Sequence, residues 1–216
     1  RMARIVAQIN ALRPDLILLG GDYIGDDKGG ATYDARASIA PLAGLRAPLG
    51  VVAVLGNHDS RSALNRVALS SRDWVVAFSR IGITLLQDGV VRRGPLVIGG
   101  LKDIYTRKPD LPDTMTAMAR MGGARLILSH GPDVFPALPN TPSLTLVGHT
   151  HCGQVALPFA GIGYVPSKYG TRYGCGLYRD GAKTMIVAAG IGTSGLPFRL
   201  LAPPDIWLIT IKPTPN

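Results

Sequence analysis

Cysteine, acidic side chains and long apolar runs are what this chain has least of. Its two cysteines in 216 residues, Cys152 and Cys175, show no CxxC spacing, which excludes a disulfide-dense framework. They can pair with each other or stay reduced as small buried residues, so the redox compartment is left open. No apolar run approaches the roughly 18 residues of a membrane-spanning helix, and no secretory signal peptide is visible. Charged residues make up only 17% of the chain against 46% hydrophobic, which excludes a disordered polymer. Asp plus Glu number 14 against 23 Lys plus Arg, a formal net charge of +9. Anionic partners such as phosphate esters, nucleic acid or acidic lipid therefore fit, and charge alone does not choose among them.

What is present is a loop-rich globular pattern, with 27 glycines and 17 prolines, and length enough for one compact domain over 1–216. Met2, Ile5, Val6, Ile9 and Leu12 recur at helical spacing until Pro14 breaks the pattern. Short continuous apolar runs follow at 16–19, 51–55, 126–128 and 144–147, with a weaker one at 96–101. Such runs read as strands buried on both faces, which predicts an α/β fold. Segments 38–45, 64–78 and 114–121 read as covering helices. Segments 176–178, 185–189 and 206–211 read as strands without helices between them. There are no internal repeats, low-complexity tracts or linkers.

Four of these runs end in polar residues: Gly21-Asp22, Gly56-Asn57-His58-Asp59, Ser129-His130 and Gly148-His149-Thr150-His151. In open α/β sheets, ligands bind at the C-terminal strand ends. In an extended chain residues i and i+2 share a face, so His149 and His151 would both point into one cavity, a spacing that favours metal binding. Asn57 offers a carbonyl oxygen to a divalent ion. His58 suits a proton donor or anion stabiliser, with Asp59 orienting its other ring nitrogen. Asp22, directly after a buried strand, needs a cation or hydrogen-bond donors to offset its desolvation. Each element alone has an ordinary alternative, such as a turn, a helix cap or a satisfied core histidine. Together they place all four histidines of the chain at strand ends, where one cleft can collect them. This N and O set, with no thiolate, suits Mn, Fe, Zn or Ni.

The order GD…GNHD…H…GHTH resembles the calcineurin-like metallophosphoesterase superfamily. More narrowly, Gly190-Ile191-Gly192-Thr193-Ser194, then Pro197, Arg199 and Pro203-Pro204-Asp205-Ile206, resembles the C-terminal signature of its bacterial YkuE/YaeI-type branch. The resemblance covers nearly the whole chain. It implies two packed mixed β-sheets flanked by helices, a four-layer αββα sandwich. It also implies a hydrolase with two divalent ions, Mn favoured. Asp22 would bridge both ions, Asn57, His130 and His149 would complete the second site, and His151 would bind the first. His58 would stabilise the transferring phosphoryl group or protonate the leaving oxygen, with Asp59 behind it. A hydroxide shared by the ions would attack phosphorus.

Two departures from the pattern stand out. The family's Asp-x-His on the first strand has no counterpart here, which leaves the first site with Asp22 and His151 and reads as a chain lacking that N-terminal strand. Cys152 stands where the branch usually has glycine, which reads as a packing variant. The segment between Gly153 and Gly174, rich in Gly, Pro and Tyr and carrying Lys168 and Arg172, is expected to form the cleft lip. The branch implies a phosphodiester or pyrophosphate substrate, with a lipid-linked nucleotide such as a UDP-diacylglucosamine within reach. It also implies association with a membrane surface, at the bacterial cytoplasmic membrane or after export. The competing readings are a non-catalytic scaffold of the same fold and a basic nucleic-acid-binding domain; no nucleic-acid signature appears. Oligomeric state is not legible.

Overall fold

The computed structural model describes residues 1–25, 34–60, 69–159 and 161–212. Helix α1 (Met2–Ala11) leads into β1 (Ile17–Leu19), followed by α2 (Ala35–Ile39), β2 (Val51–Ala53), α3 (Ser71–Arg80) and β3 (Ile83–Leu85). The strands of this first unit form a parallel sheet in the order β1-β2-β3. Strands β4 (Gly89–Arg93), β5 (Leu96–Gly100), β6 (Ala124–Leu128) and β7 (Ser143–Val147) follow, with α4 (Leu111–Met121) between β5 and β6. A short hairpin of β8 (Ala156–Leu157) and β9 (Gly161–Ile162) precedes β10 (Gly176–Asp180) and β11 (Lys183–Val187). The second sheet runs β10-β11-β7-β6-β5-β4, with β4 and β10 antiparallel to their neighbours and the rest parallel.

Strand alternation sorts these side chains into three apolar layers. Ile17, Val51, Ala53 and Ile83 point outward from the first sheet and pack with Val6 of α1, Ile39 of α2, and Trp74 and Phe78 of α3. Val52, Val54 and Leu86 face the other way and meet Leu96, Ile98, Leu126 and Leu128 of the second sheet. Val97, Ile127, Val147, Met185 and Val187 face out again, onto Met118 of α4 and onto Phe135. The layers are therefore helix, sheet, sheet, helix. Burying each such side chain contributes about 1.5–3 kcal/mol, which is why these runs show no polar face.

The expected helix at 38–45 begins earlier, at Ala35, because the Asp34 side chain caps the Arg36 and Ala37 N–H groups. It then tightens into a 3-10 turn over Ala40–Gly44, where Pro41 has no N–H to continue the α ladder. Of the expected helix at 64–78, residues up to 68 lie outside the described set, and α3 begins only at Ser71, where the Ser70 side chain caps the Asp73 N–H. Strand β4 was not anticipated; the Gly94-Pro95 turn that folds it against β5 was its available signal. The expected strand at 206–211 is absent from every ladder among the described residues. Ile206, Trp207, Leu208 and Ile211 are exposed there, and an apolar run without a partner edge makes no strand.

Candidate metal centre

Parallel pairing of Leu19 with Ala53 brings the loops after β1 and β2 out side by side. They pack glycine to backbone: Gly21 (φ +100°) lies against Gly56, and a Cβ on Gly56 would collide with the Asp22 carboxylate. Asp59, fully buried, ties the two loops together. Its Oδ2 accepts from the N–H groups of Asp22 (2.8 Å) and Gly56 (2.9 Å), and its Oδ1 from Tyr23 (2.7 Å) and Ile24 (3.2 Å). The expectation set Asp59 behind the His58 ring; these four bonds turn its carboxylate to backbone amides instead. Burial and the Asp22 charge push Asp59 up to about 7, against the pull of those N–H groups. Its own carbonyl accepts from Trp74 Nε1 (2.8 Å), which locks α3 to the same loop.

On the second sheet, the pairing of β6 with β7 sets His130 beside His149. Asp22, His130 and His149 present ligand-capable atoms within 4.8 Å of one another. The His130 Nε2 lies 3.0 Å from His149 Nδ1, 3.1 Å from Asn57 Oδ1 and 3.2 Å from Asp22 Oδ2. The far nitrogen of each ring is tied to a backbone carbonyl: His130 Nδ1 to Gly20 (2.8 Å) and His149 Nε2 to Pro166 (3.0 Å). In neutral rings those carbonyls take the N–H, so His130 Nε2 and His149 Nδ1 face inward as lone pairs. Four electron-rich atoms then share one spot, and only a cation or a proton reconciles them. Ligand atoms about 2.1 Å from one ion sit roughly 3.0–3.4 Å apart at octahedral to tetrahedral angles. The observed separations of the other three from His130 Nε2 match that spacing, so the residues present fit a divalent ion.

The electrostatics agree. Burial would raise Asp22, but the neighbouring His130 and His58 hold it down at about 2. Burial would lower His130, but the Asp22 carboxylate outweighs it and raises the ring to about 9. Burial and the charge on His130 lower His149 to about 3. A proton on His130 thus plays the part a metal ion takes when bound.

His151 is held differently. The strand ends at Val147, and His149 (φ 69°), His151 (φ 52°), Cys152 (φ 52°) and Gln154 (φ 54°) all adopt left-handed backbone. The expectation that an extended chain aligns the two histidines is therefore corrected: a left-handed turn aims them. Non-glycine residues resist that region by roughly 1–2 kcal/mol each, so tertiary contacts must impose it. Arg199 donates to the His151 carbonyl (2.9 Å) and ring Nδ1 (3.2 Å), and to the carbonyls of Ala189, Gly190, Gly192 and Ala202. The Gln154 amide spans Ser194 and Leu196. Burial and the Arg199 charge lower the His151 pKa. Cys152 forms a disulfide with Cys175, at a φ of 52° that glycine adopts more readily than cysteine.

The structure gathers Asp22, Asn57, His58, His149 and His151 along one cleft of about 610 Å³, which Gln154, Leu157, Tyr164 and Leu196 also line. A second lobe of about 580 Å³ shares Asn57 and His149 and adds Tyr105, Asp133 and Lys168. Tyr105 stacks on His149 with ring centroids 4.0 Å apart; a side chain on Gly131 would collide with it. Tyr105 and Pro166 carried no readable signal, because their roles depend on partners distant in sequence. Arg199 stood in the C-terminal signature without a role. Beyond the weaker run at 96–101, Asp103 serves its own loop, accepting from the Thr106 N–H (2.9 Å) and hydroxyl (2.7 Å).

Residues 1–153 match the calcineurin-like phosphoesterase family. The chain is 32% identical over 215 residues to the uncharacterised metallophosphoesterase YkuE of Bacillus subtilis, covering 97% of this chain and 72% of that protein. It is 28% identical over 212 residues to the phosphodiesterase YaeI of Escherichia coli, covering 92% and 71%. A transmembrane protein with metallophosphoesterase domain from Danio rerio is 27% identical over 229 residues, covering 98% of this chain and 49% of that protein. The chain thus spans between about half and three quarters of these relatives. No helix among the described residues is long and apolar enough to cross a membrane. Motif order, layered fold and clustered N and O atoms agree: the chain belongs to the calcineurin-like phosphoesterase family, metal-dependent hydrolases of phosphoesters.

Proposed function

We propose that this protein hydrolyses a phosphodiester or pyrophosphate bond with two divalent ions, Mn²⁺ first among them. The observation that carries this reading is the convergence of Asp22, Asn57, His130 and His149 on one point. Asn57, His130 and His149 would hold one ion, with Asp22 and His151 available to the other. Bound there, the ions supply charge neutralisation and a water of low pKa. The chain's own groups do the rest. The His58 amide fixes Asp22 Oδ1 at 3.0 Å, and the His58 ring, on the cleft wall, gives a proton to the leaving oxygen. Asp59 keeps the two loops in register for that transfer.

The two lobes, which share Asn57 and His149 in their lining, suit a phosphorus atom with two substituents. Leu157 and Leu196 edge one lobe, and Phe159 and Phe198 stand exposed on the same segments. Such an apolar rim on a chain of net charge +9 supports a lipid-linked nucleotide, of the UDP-diacylglucosamine kind, met at a membrane surface. The test is hydrolysis of bis(4-nitrophenyl) phosphate by the full-length protein with Mn²⁺. His58→Ala and His149→Ala should each lower the rate by about 100-fold or more. A loss under about tenfold in both variants would overturn the reading.

A further inference from the structure

The disulfide joins Cys152, one residue past His151, to Cys175, 23 positions along the chain. Between them lies the segment that forms one wall of both lobes. Its ends are packed as a neck: a side chain on Gly153 would collide with Ile162, and one on Gly174 would press on the same residue. From that neck the segment reaches the metal centre. The Pro166 carbonyl lies 3.0 Å from His149 Nε2 and sets which nitrogen of that ring faces Asp22. Ser167 Oγ donates to Asp133 Oδ1 (2.5 Å) and Lys168 N–H to Asp133 Oδ2 (3.0 Å), which seats the wall on the second sheet's side of the cleft. Among the described residues the segment's own ladder is the two-residue β8–β9 hairpin; the 3-10 turn Gly170–Tyr173 and the buried Val165 and Tyr173 seat the rest, and the bridge joins its two ends.

We infer that Cys152 and Cys175 are a positioning pair: their bridge closes the neck of the 153–174 segment and so holds the Pro166 carbonyl on His149 and the wall residues on the substrate. The inference rests on the metallophosphoesterase reading above. A staple acting on stability alone could sit anywhere on the surface. This one sits in the left-handed turn that carries His149 and His151, at a φ of 52° that cysteine resists and glycine accepts. Partners that orient a metal-bound histidine typically govern ion affinity by 10–100-fold.

The test compares the bridged protein with Cys175→Ser and with Cys152→Gly, the second of which relaxes the turn while removing the bridge. Thiol titration of the unfolded native protein should find no free thiol. Calorimetric titration with Mn²⁺, at a temperature where circular dichroism shows all proteins folded, should give about tenfold weaker binding without the bridge. KM for bis(4-nitrophenyl) phosphate should rise more than kcat falls. Wild-type protein reduced on a resin-bound dithiol, which supplies two electrons and two protons to the bridge and ends as its own disulfide, repeats the comparison with no variant needing to fold. Mn²⁺ affinity and KM within twofold of the bridged protein, with only the melting temperature lowered, would overturn the inference alone. So would two thiols titrating in the native protein. A bridged protein that neither binds Mn²⁺ nor cleaves the diester overturns this inference and the functional reading together.

Discussion

His130 and His151 flank the same carboxylate, Asp22, yet the molecule treats them in opposite ways. His130 is 2% exposed, with its outer nitrogen on a backbone carbonyl and its inner one among three other electron-rich atoms. His151 is half-buried in a left-handed turn, with an arginine donating to its ring. The first arrangement is a cluster of nitrogen and oxygen atoms that could hold a metal ion. The second is an arm whose direction is imposed from the C-terminal loops. On the binuclear reading proposed above, the two halves would be held differently, one by strand ends in parallel register and one by a turn tied to Arg199, Gln154 and a disulfide.

The comparison breaks most sharply at the ligands. His130→Ala should weaken the tightest Mn²⁺ binding event by more than about 100-fold, whereas His151→Ala should leave that event within about tenfold and cut turnover instead. Titration calorimetry beside steady-state rates reads both, and equal losses of tight binding would erase the distinction. A smaller effect comes from the loop tie. Asp59→Asn sets an NH₂ group against backbone N–H donors that now share one carboxylate oxygen, which should cost about 2–3 kcal/mol in urea unfolding. No loss of stability would mean that the four amide bonds do not hold the loops.

The smallest effect is one of pH. The folded pKa of His130, about 9, lies above its unfolded value because of Asp22. Its contribution to the metal-free fold is therefore fully present below about 6.5 and is lost as pH rises through about 9. In chelator, the melting temperature should fall by a few degrees across that window. With Mn²⁺ present the ion replaces the proton, so the trend should flatten or reverse. A melting temperature that rises with pH in chelator would show that His130 is not the proton holder.

Much of this was legible in the residues. The runs at 16–19, 51–55, 126–128 and 144–147 announced buried strands because both faces of each are covered, and their polar ends marked the cleft because ligands gather at that edge. The family signature added the layer order. Illegible were the tautomers of His130 and His149, set by carbonyls at Gly20 and Pro166 that look like any other backbone in sequence. Equally hidden were Tyr105 against His149 and the four amides on Asp59, which all depend on loops that follow different strands of one sheet being brought together.

The sequence by itself determined the chemistry: which side chains are available, that nitrogen and oxygen rather than sulfur face the cleft, and that apolar alternation must sort strands into layers. Only the tertiary structure decided their use. It aimed His149 and His151 through a left-handed turn rather than a pleat, spent Asp59 on backbone amides, and joined Cys152 to Cys175 at the neck of the cleft wall. The physical reason is range. Hydrophobic periodicity and strand-end chemistry act within a few residues of the chain, whereas a hydrogen bond from His149 to Pro166, or from Arg199 to His151, exists only once distant segments have been packed together.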